Sequence, residues 1–382
     1  MRPSRSEIVR VFAALGTTGF GGPIALVGYM ESELVERRQW VTTQEFRDGL
    51  AFSQLAPGPL AAQLAIYLGW VCRGVRGATL AGVAFVAPSF LMVVALAALY
   101  ARFGGMAWLR GAFYGVGAAV IAIIARSAIK LTRTTLGRDP LLWALFAVCA
   151  GVTAWRESEL MWLFVMCGLV AMVVKAPPKR SKSLASYAAG LSGLTQWTTG
   201  LHGAAALPEI ATVFLFFASA ALFVFGSGLA IVPFLHDGVV LRHHWLTERQ
   251  FLDAVAVALI TPGPVVITVA FIGYLVGGLA GATAAAVAVF TPVYAITVLV
   301  APHYERLKTD GRVRAFVDGV TAAATGAIAG AAIVLGRRSV VDLPTITIAV
   351  GTLVVLTRVR KIPEPLVIVA AGIVGVAVQR LS

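Results

Sequence analysis

The chain has 382 residues, of which 59% are hydrophobic and 13% charged, whereas a soluble domain carries about 25% charged residues. Apolar runs near or beyond ~18 residues recur along its whole length, as in membrane-spanning helices, which excludes an ordinary soluble domain. The net charge of +13 does not mark a nucleic-acid partner. Lys and Arg lie in short loops between apolar runs, as the cytoplasmic loops of membrane proteins require, not in a contiguous basic patch.

In chain order, a Gly/Pro-broken apolar segment over 8–30 is followed by a polar loop at 31–47. Three long apolar helices are predicted over about 48–71, 78–101 and 112–131, then two shorter apolar stretches at 141–154 and 159–174. The basic and polar stretch 175–208 reads as a linker with, at most, an interfacial helix. The pattern then repeats: a broken segment at 210–235, a loop at 236–250, long helices over 251–276, 280–301 and 315–336, and short stretches at 343–357 and 364–380. The expected class is an all-α polytopic membrane protein of ten to twelve spans. It is divided into an N-terminal module (1–174), the linker (175–208) and a C-terminal module (209–382).

The duplication is specific. Phe20-Gly21 returns as Phe225-Gly226, Arg37 as Arg242, Trp40 as Trp245, Asp48 as Asp253, and Pro57-Gly58-Pro59 as Pro262-Gly263-Pro264, all offset by 205 residues. Pro88 matches Pro292 after a one-residue slip. Loop charge reverses between copies: Arg73 and Arg76 follow the first long helix of copy one, where copy two has Gly277-Gly278. The next loop carries Arg102 and Arg110 in copy one against Arg306, Lys308, Arg312 and Arg314 in copy two. The positive-inside rule then makes the copies an inverted repeat. Inversion requires an odd number of crossings per copy, which a re-entrant first segment or a non-spanning short stretch would supply.

Inverted-repeat transporters bind substrate where broken helices meet near the midplane. Pro57-Gly58-Pro59 and Pro262-Gly263-Pro264 are such breaks, since proline removes an N–H and clashes with the preceding turn. Pro59 and Pro264 each suit the first position of a restarted half-helix, whose free N–H groups attract a tetrahedral oxyanion. A structural kink is the rival reading. Ser53, Gln54 and Gln63 in copy one, and Thr261 and Thr268 in copy two, are the neighbouring polar candidates; helix–helix packing would use the same residue types. Gly21, Gly22 and Pro23, and in copy two Gly226, Ser227 and Gly228, form a second pair of breaks, as half-helix ends or as tight turns.

Arg37 and Arg242 could steer anions or anchor the interface beside Trp40 and Trp245. Asp48 and Asp253 could carry a coupling proton or complement a helix N-terminus. Three scattered Cys and five scattered His form no metal spacing, and no phosphate loop or nucleophile elbow is present. No metal, cofactor or catalytic residue is expected, and a membrane-embedded enzyme is disfavoured.

These residues resemble the chromate transporter family in its two-domain form. The matching stretches are Phe20-Gly21-Gly22-Pro23, Gln39-Trp40-Val41, and Gln54 through Pro59 with Gln63. In copy two they are Phe225 through Ala230, Pro233-Phe234-Leu235, Trp245-Leu246, and Thr261 through Thr268. The resemblance implies efflux of chromate across a bacterial inner membrane, with sulfate as mimic. Uptake or exchange of sulfate or another oxyanion is the alternative, and a homodimer is an open expectation. Copy two has Leu259 and Thr268 where copy one has Gln54 and Gln63, so a strictly symmetric site is not expected.

Overall fold

The computed structural model describes residues 3–19, 22–103, 106–156, 161–177, 209–222, 224, 228–304, 310–358 and 362–381. Secondary structure among them is helical. Helix α1 (Arg5–Thr18) begins with a capping box in which Ser4 and Glu7 exchange hydrogen bonds, satisfying two otherwise orphaned N–H groups. It ends at Gly19, and α2 (Gly22–Glu31) runs on into a π-helical stretch, Ser32–Arg37. Arg10 and Ala14 of α1 share a cleft with Tyr29, Glu33 and Arg37, so the two helices are arms of a hairpin.

A second hairpin follows. Helix α3 (Thr43–Leu55) starts on a capping box between Thr42 and Glu45, and α4 (Leu60–Phe103) follows the Pro-Gly-Pro break. Gly49 and Tyr67 would be about 27 Å apart along one straight helix. Instead Gly49 lies directly against the Tyr67 ring, and the Phe52 and Tyr67 rings stack at 5.5 Å. The break therefore reverses the chain. This corrects the expectation of a long helix over 48–71: it is two antiparallel half-helices entering and leaving on one face. Two prolines around a glycine remove the amide donors on either side of it, and Gly58 takes φ +142, which a side chain would disfavour.

Non-helical dihedrals at Arg73 and Gly74 turn α4 back on itself, so Gly69 packs on Gly77 and Ala81. The remainder of α4 is long enough to cross a bilayer. Helices α5 (Ala107–Leu136), α6 (Pro140–Arg156) and α7 (Met161–Lys175) complete copy one.

Copy two repeats the plan. Helix α8 (Glu209–Ala221) leads to a 3-10 turn (Gly228–Ile231), α9 (Val232–His236) and a π-helical stretch, Asp237–Arg242. Helix α10 (Glu248–Ile260), a 3-10 turn (Val265–Ile267) and α11 (Thr268–Val300) form the second hairpin, and α11 reverses at Gly277-Gly278. The expected long helix over 251–276 is thus divided as in copy one. Helices α12 (Gly311–Ser339), α13 (Leu343–Arg358) and α14 (Glu364–Leu381) follow. Among the described residues, four segments are long and apolar enough to cross a membrane by length and composition: Leu60–Phe103, Gly111–Arg133, Val265–His303 and Gly311–Arg337.

The copies are inverted. Thr79, early in the crossing part of α4, hydrogen-bonds Tyr294, late in α11, at 2.7 Å. Tyr100, near the end of α4, meets Asp253, near the start of α10. The crossing parts of α4 and α11 are therefore antiparallel, and the turns at Arg73-Gly74 and Gly277-Gly278 lie on opposite faces. In copy one the crossing part of α4 and then α5, α6 and α7 alternate in direction, and Lys175 returns to the face of Asp139 with an ion pair of 2.6 Å. Ile210 sits beside Gly277 on the other face. The linker between Lys175 and Glu209 lies, from residue 178 to 208, outside the described residues.

The copies are also interlocked. Helix α12 of copy two packs against α6 and α7 of copy one, while α13 and α14 pack against α5. One large apolar core surrounds the hairpins of copy two and a second surrounds those of copy one. With the bundle braced this way, the hairpin tips are pushed into its middle.

Candidate anion site at the hairpin tips

Two backbone hydrogen bonds join the tips across the repeat. The Gly58 N–H donates to the Val224 carbonyl at 2.6 Å, and the Gly263 N–H donates to the Gly19 carbonyl at 3.0 Å. Both pairs obey the 205-residue offset, so the contact is symmetric: each Pro-Gly-Pro tip closes on the first hairpin of the other copy. Gly263 has φ +105, and a Cβ there would collide with Ser89. Backbone polar groups at membrane depth are tolerated where they pair inside protein, and these tips are paired.

Between the tips lies a void of about 10 Å³, room for roughly one water and too little for a tetrahedral oxyanion. Leu26 of the first hairpin, Pro59 and Leu60 of the second, and Gly228, Gly263 and Pro264 of copy two line it. Pro59 caps α4, its carbonyl accepting from the Gln63 N–H at 3.0 Å. Pro264 instead caps a 3-10 turn, accepting from Ile267 at 2.9 Å. The first residues of both half-helices, Leu60 and Ala61 in copy one and Val265 in copy two, line the void, at the helix end where the macrodipole is positive.

The other expected site residues divide. Gln63 is fully buried, its amide donating to the Pro57 carbonyl at 3.3 Å. Its Oε1 is the one buried side-chain atom among the described residues without a hydrogen-bond partner, and a Cβ on Gly58 would stand 3.1 Å from it. Thr261 and Thr268 turn their hydroxyls back on their own helices, bonding Val257 at 2.9 Å and Val265 at 2.7 Å. Ser53 does the same with Gly49. Gln54 is exposed and does not line the void. Gly22 and Pro23 open α2; Gly21, Gly226 and Ser227 lie outside the described residues.

Sequence reasoning missed Ser89. Its hydroxyl donates towards the Pro262 carbonyl at 2.8 Å and the Gly16 carbonyl at 3.3 Å, tying α4 to the tip of copy two. The signal was available, because Ser89 follows Pro88 while its counterpart Val293 follows Pro292. Val293 correspondingly packs 3.1 Å from a Cβ placed on Gly58.

A cleft of about 480 Å³ opens beside the first hairpin of copy one, from Arg10, Arg37 and Arg38 inward to Thr18, one residue from the tip. Glu33 pairs with Arg38 at 2.6 Å and with Arg37 at 3.3 Å. Partial burial acts to raise the Glu33 pKa, but the hydrogen bond and charges of the two guanidinium groups outweigh it and leave it lowered. With three arginines against one ionised glutamate, the cleft is cationic. In copy two the corresponding space is filled. Leu215, Phe216 and Gly238 stand where copy one has Arg10, Val11 and Glu33, and the Phe216 ring lies on Gly238. Arg242 is paired with Asp237 at 2.6 Å.

The potential coupling carboxylates differ as well. Asp48 is half-exposed and accepts from Gln44 at 3.1 Å. Asp253 is 2% exposed and accepts from Tyr100 at 2.7 Å.

Two inverted copies, each with two re-entrant hairpins whose tips meet at the centre, define a polytopic membrane protein of the inverted-repeat, broken-helix class. The chain matches the chromate transporter family over residues 6–172 and again over 211–376, and it belongs to that family. It is 53% identical to a chromate transport protein of Cupriavidus metallidurans, over 98% of this chain and 93% of that protein. It is 52% identical to a probable chromate transport protein of Synechococcus elongatus, over 98% and 95%. A chromate transport protein of Pseudomonas aeruginosa is 33% identical over 97% of this chain. No solved structure matches it.

Proposed function

We propose that this chain exports chromate from the bacterial cytoplasm across the inner membrane, conferring chromate resistance, as a secondary transporter. The observation that carries the reading is the symmetric closure of the tips, Gly58 on Val224 and Gly263 on Gly19. Parting the tips frees these two N–H groups together with the first-turn N–H groups of the half-helices. An incoming oxyanion takes the place of the two carbonyls as acceptor, so the donors that hold the gate shut become donors to the cargo. Neutral N–H groups suit a dianion that must also leave, since they bind without a fixed counter-charge.

Loop charge supports the direction. The face of Arg73 and Arg76 also receives Arg138, Lys175, Arg312 and Arg314, and the positive-inside rule makes it cytoplasmic. The arginine cleft opens near this face and collects anions there. Expelling a dianion from a cell that is negative inside gains about 4.6 kcal/mol per 100 mV.

The test is radiolabelled chromate uptake into inverted membrane vesicles, with sulfate as competitor and an uncoupler as control. Energy-dependent accumulation is expected. Accumulation of sulfate without chromate would replace the substrate, and movement of neither would overturn the reading.

A further inference from the structure

Asp253 is a buried carboxylate that the tips do not use; Asp237, also buried in copy two, is paired with Arg242. Asp253 lies on α10, about 9 Å in from the loop at 243–247, and is 2% exposed. It is set in the apolar core of copy two. The groups around it are few. Tyr100 of α4 donates to its Oδ2 at 2.7 Å, and the Tyr100 ring is fixed at 5.3 Å from both Phe113 of α5 and Phe271 of α11. Arg249 lies one turn nearer the loop on α10 itself. Other titratable or charged groups on the packed elements are Tyr114 of α5, bonded to Asp342, Arg126 of α5, paired with Glu364 of α14, His236 of α9, bonded to Glu248, Asp237, paired with Arg242, and also Lys130 and Arg133 of α5 and Tyr274 of α11.

An ionisable group in this position is costly and needs a reason. Helix packing does not supply one, because the copy-one counterpart Asp48 occupies the same register half-exposed. The Tyr100–Asp253 bond also joins the two copies: Tyr100 belongs to the crossing part of α4 in copy one, and Asp253 to α10, the first arm of the second hairpin in copy two. A phenol donating to a carboxylate makes a charge-assisted bond, roughly twice as strong as a neutral one. Protonating the carboxylate removes that assistance and loosens this contact between the two copies.

We propose that Asp253 is the proton carrier of the transport cycle and that Tyr100 is the latch reading its protonation. This rests on the export reading above and adds its coupling ion. One proton binds the Asp253 carboxylate from the external face, weakens the latch, and is released to the cytoplasm as one chromate dianion leaves. No other atom or electron changes hands. The copy-one counterpart, Asp48, is half-exposed, so the carrier is placed in copy two alone.

The experiment uses the full chain reconstituted in liposomes, with three readouts. Chromate counterflow without any gradient reports the cargo; chromate flux under an imposed pH gradient reports coupling; the infrared carboxyl band, followed with pH in the absence of chromate, reports the proton. Asp253→Asn should keep counterflow within about twofold, lose more than tenfold of the gradient-driven flux, and lose the titrating band. Tyr100→Phe, which keeps the carboxylate, should retain the band at a shifted pH and lower the gradient-driven flux several-fold. Gradient-driven flux in Asp253→Asn equal to wild type, a wild-type flux indifferent to the pH gradient, or an unchanged band would overturn the proposal. Counterflow in wild type separates these failures from failure of the export reading, which predicts that chromate moves there.

Discussion

The first hairpins of the two copies share a backbone plan and differ in what fills them. In copy one, Arg10, Arg37 and Arg38 border an open cleft that reaches Thr18. In copy two, Phe216 packs on Gly238 and its ring meets His243 at 5.6 Å and Trp245 at 5.7 Å. Duplication sets the path of the chain, while side-chain divergence decides which face the path opens to. The same holds one hairpin later, where Gln63 answers to Thr268 and half-exposed Asp48 to buried Asp253. A transporter that moves cargo one way gains from such inequality, since two equivalent faces would give no preferred vestibule.

The comparison can be broken outright by topology. Reporter fusions after Arg76 and after Gly278 should report opposite sides of the membrane, an all-or-none result; the same side for both ends the inverted description. Next in size are the tips. Gly58→Leu and Gly263→Leu should each abolish flux while insertion persists. The milder pair sharpens the contrast: Gly263→Ala should cost about 1–3 kcal/mol through strain and collision with Ser89. Gly58→Ala should cost less, because its neighbours stand 3.1 Å away. Thermal unfolding in detergent, run beside flux, checks the order.

Filling the open cleft is the third test. Ala14→Phe should imitate copy two and lower initial export rates by roughly tenfold at low chromate, as expected when an electrostatically focused entrance is lost. Unchanged rates would mean that the cleft is not on the path. The smallest effect belongs to the arginines. Arg37→Ala should reduce the low-substrate rate a few-fold, less at high ionic strength, whereas Arg242→Ala should barely change it. Equal effects of the two would favour a shared anchoring role at the headgroups.

Reading composition and spacing alone, one obtains the membrane class, the duplication, the inversion and the two Pro-Gly-Pro breaks. Each depends on local chemistry: apolar run length, loop charge, and the missing N–H of proline. Gly58 and Gly263 were legible because a helix flanked by two prolines cannot continue through glycine. Whether such a break bends the chain or reverses it was not legible, since both satisfy the same local dihedral rules. Contacts 18 residues apart, such as Gly49 with Tyr67, decided it. Tertiary structure alone likewise assigned Ser89 to the opposite tip, turned Thr261 and Thr268 back on their own helices, left Gln54 exposed, and buried Asp253 against Tyr100 while leaving Asp48 half-exposed. Those outcomes turn on which copy packs against which. Two segments of matching sequence carry the same local preferences but meet different neighbours, and burial belongs to the neighbours.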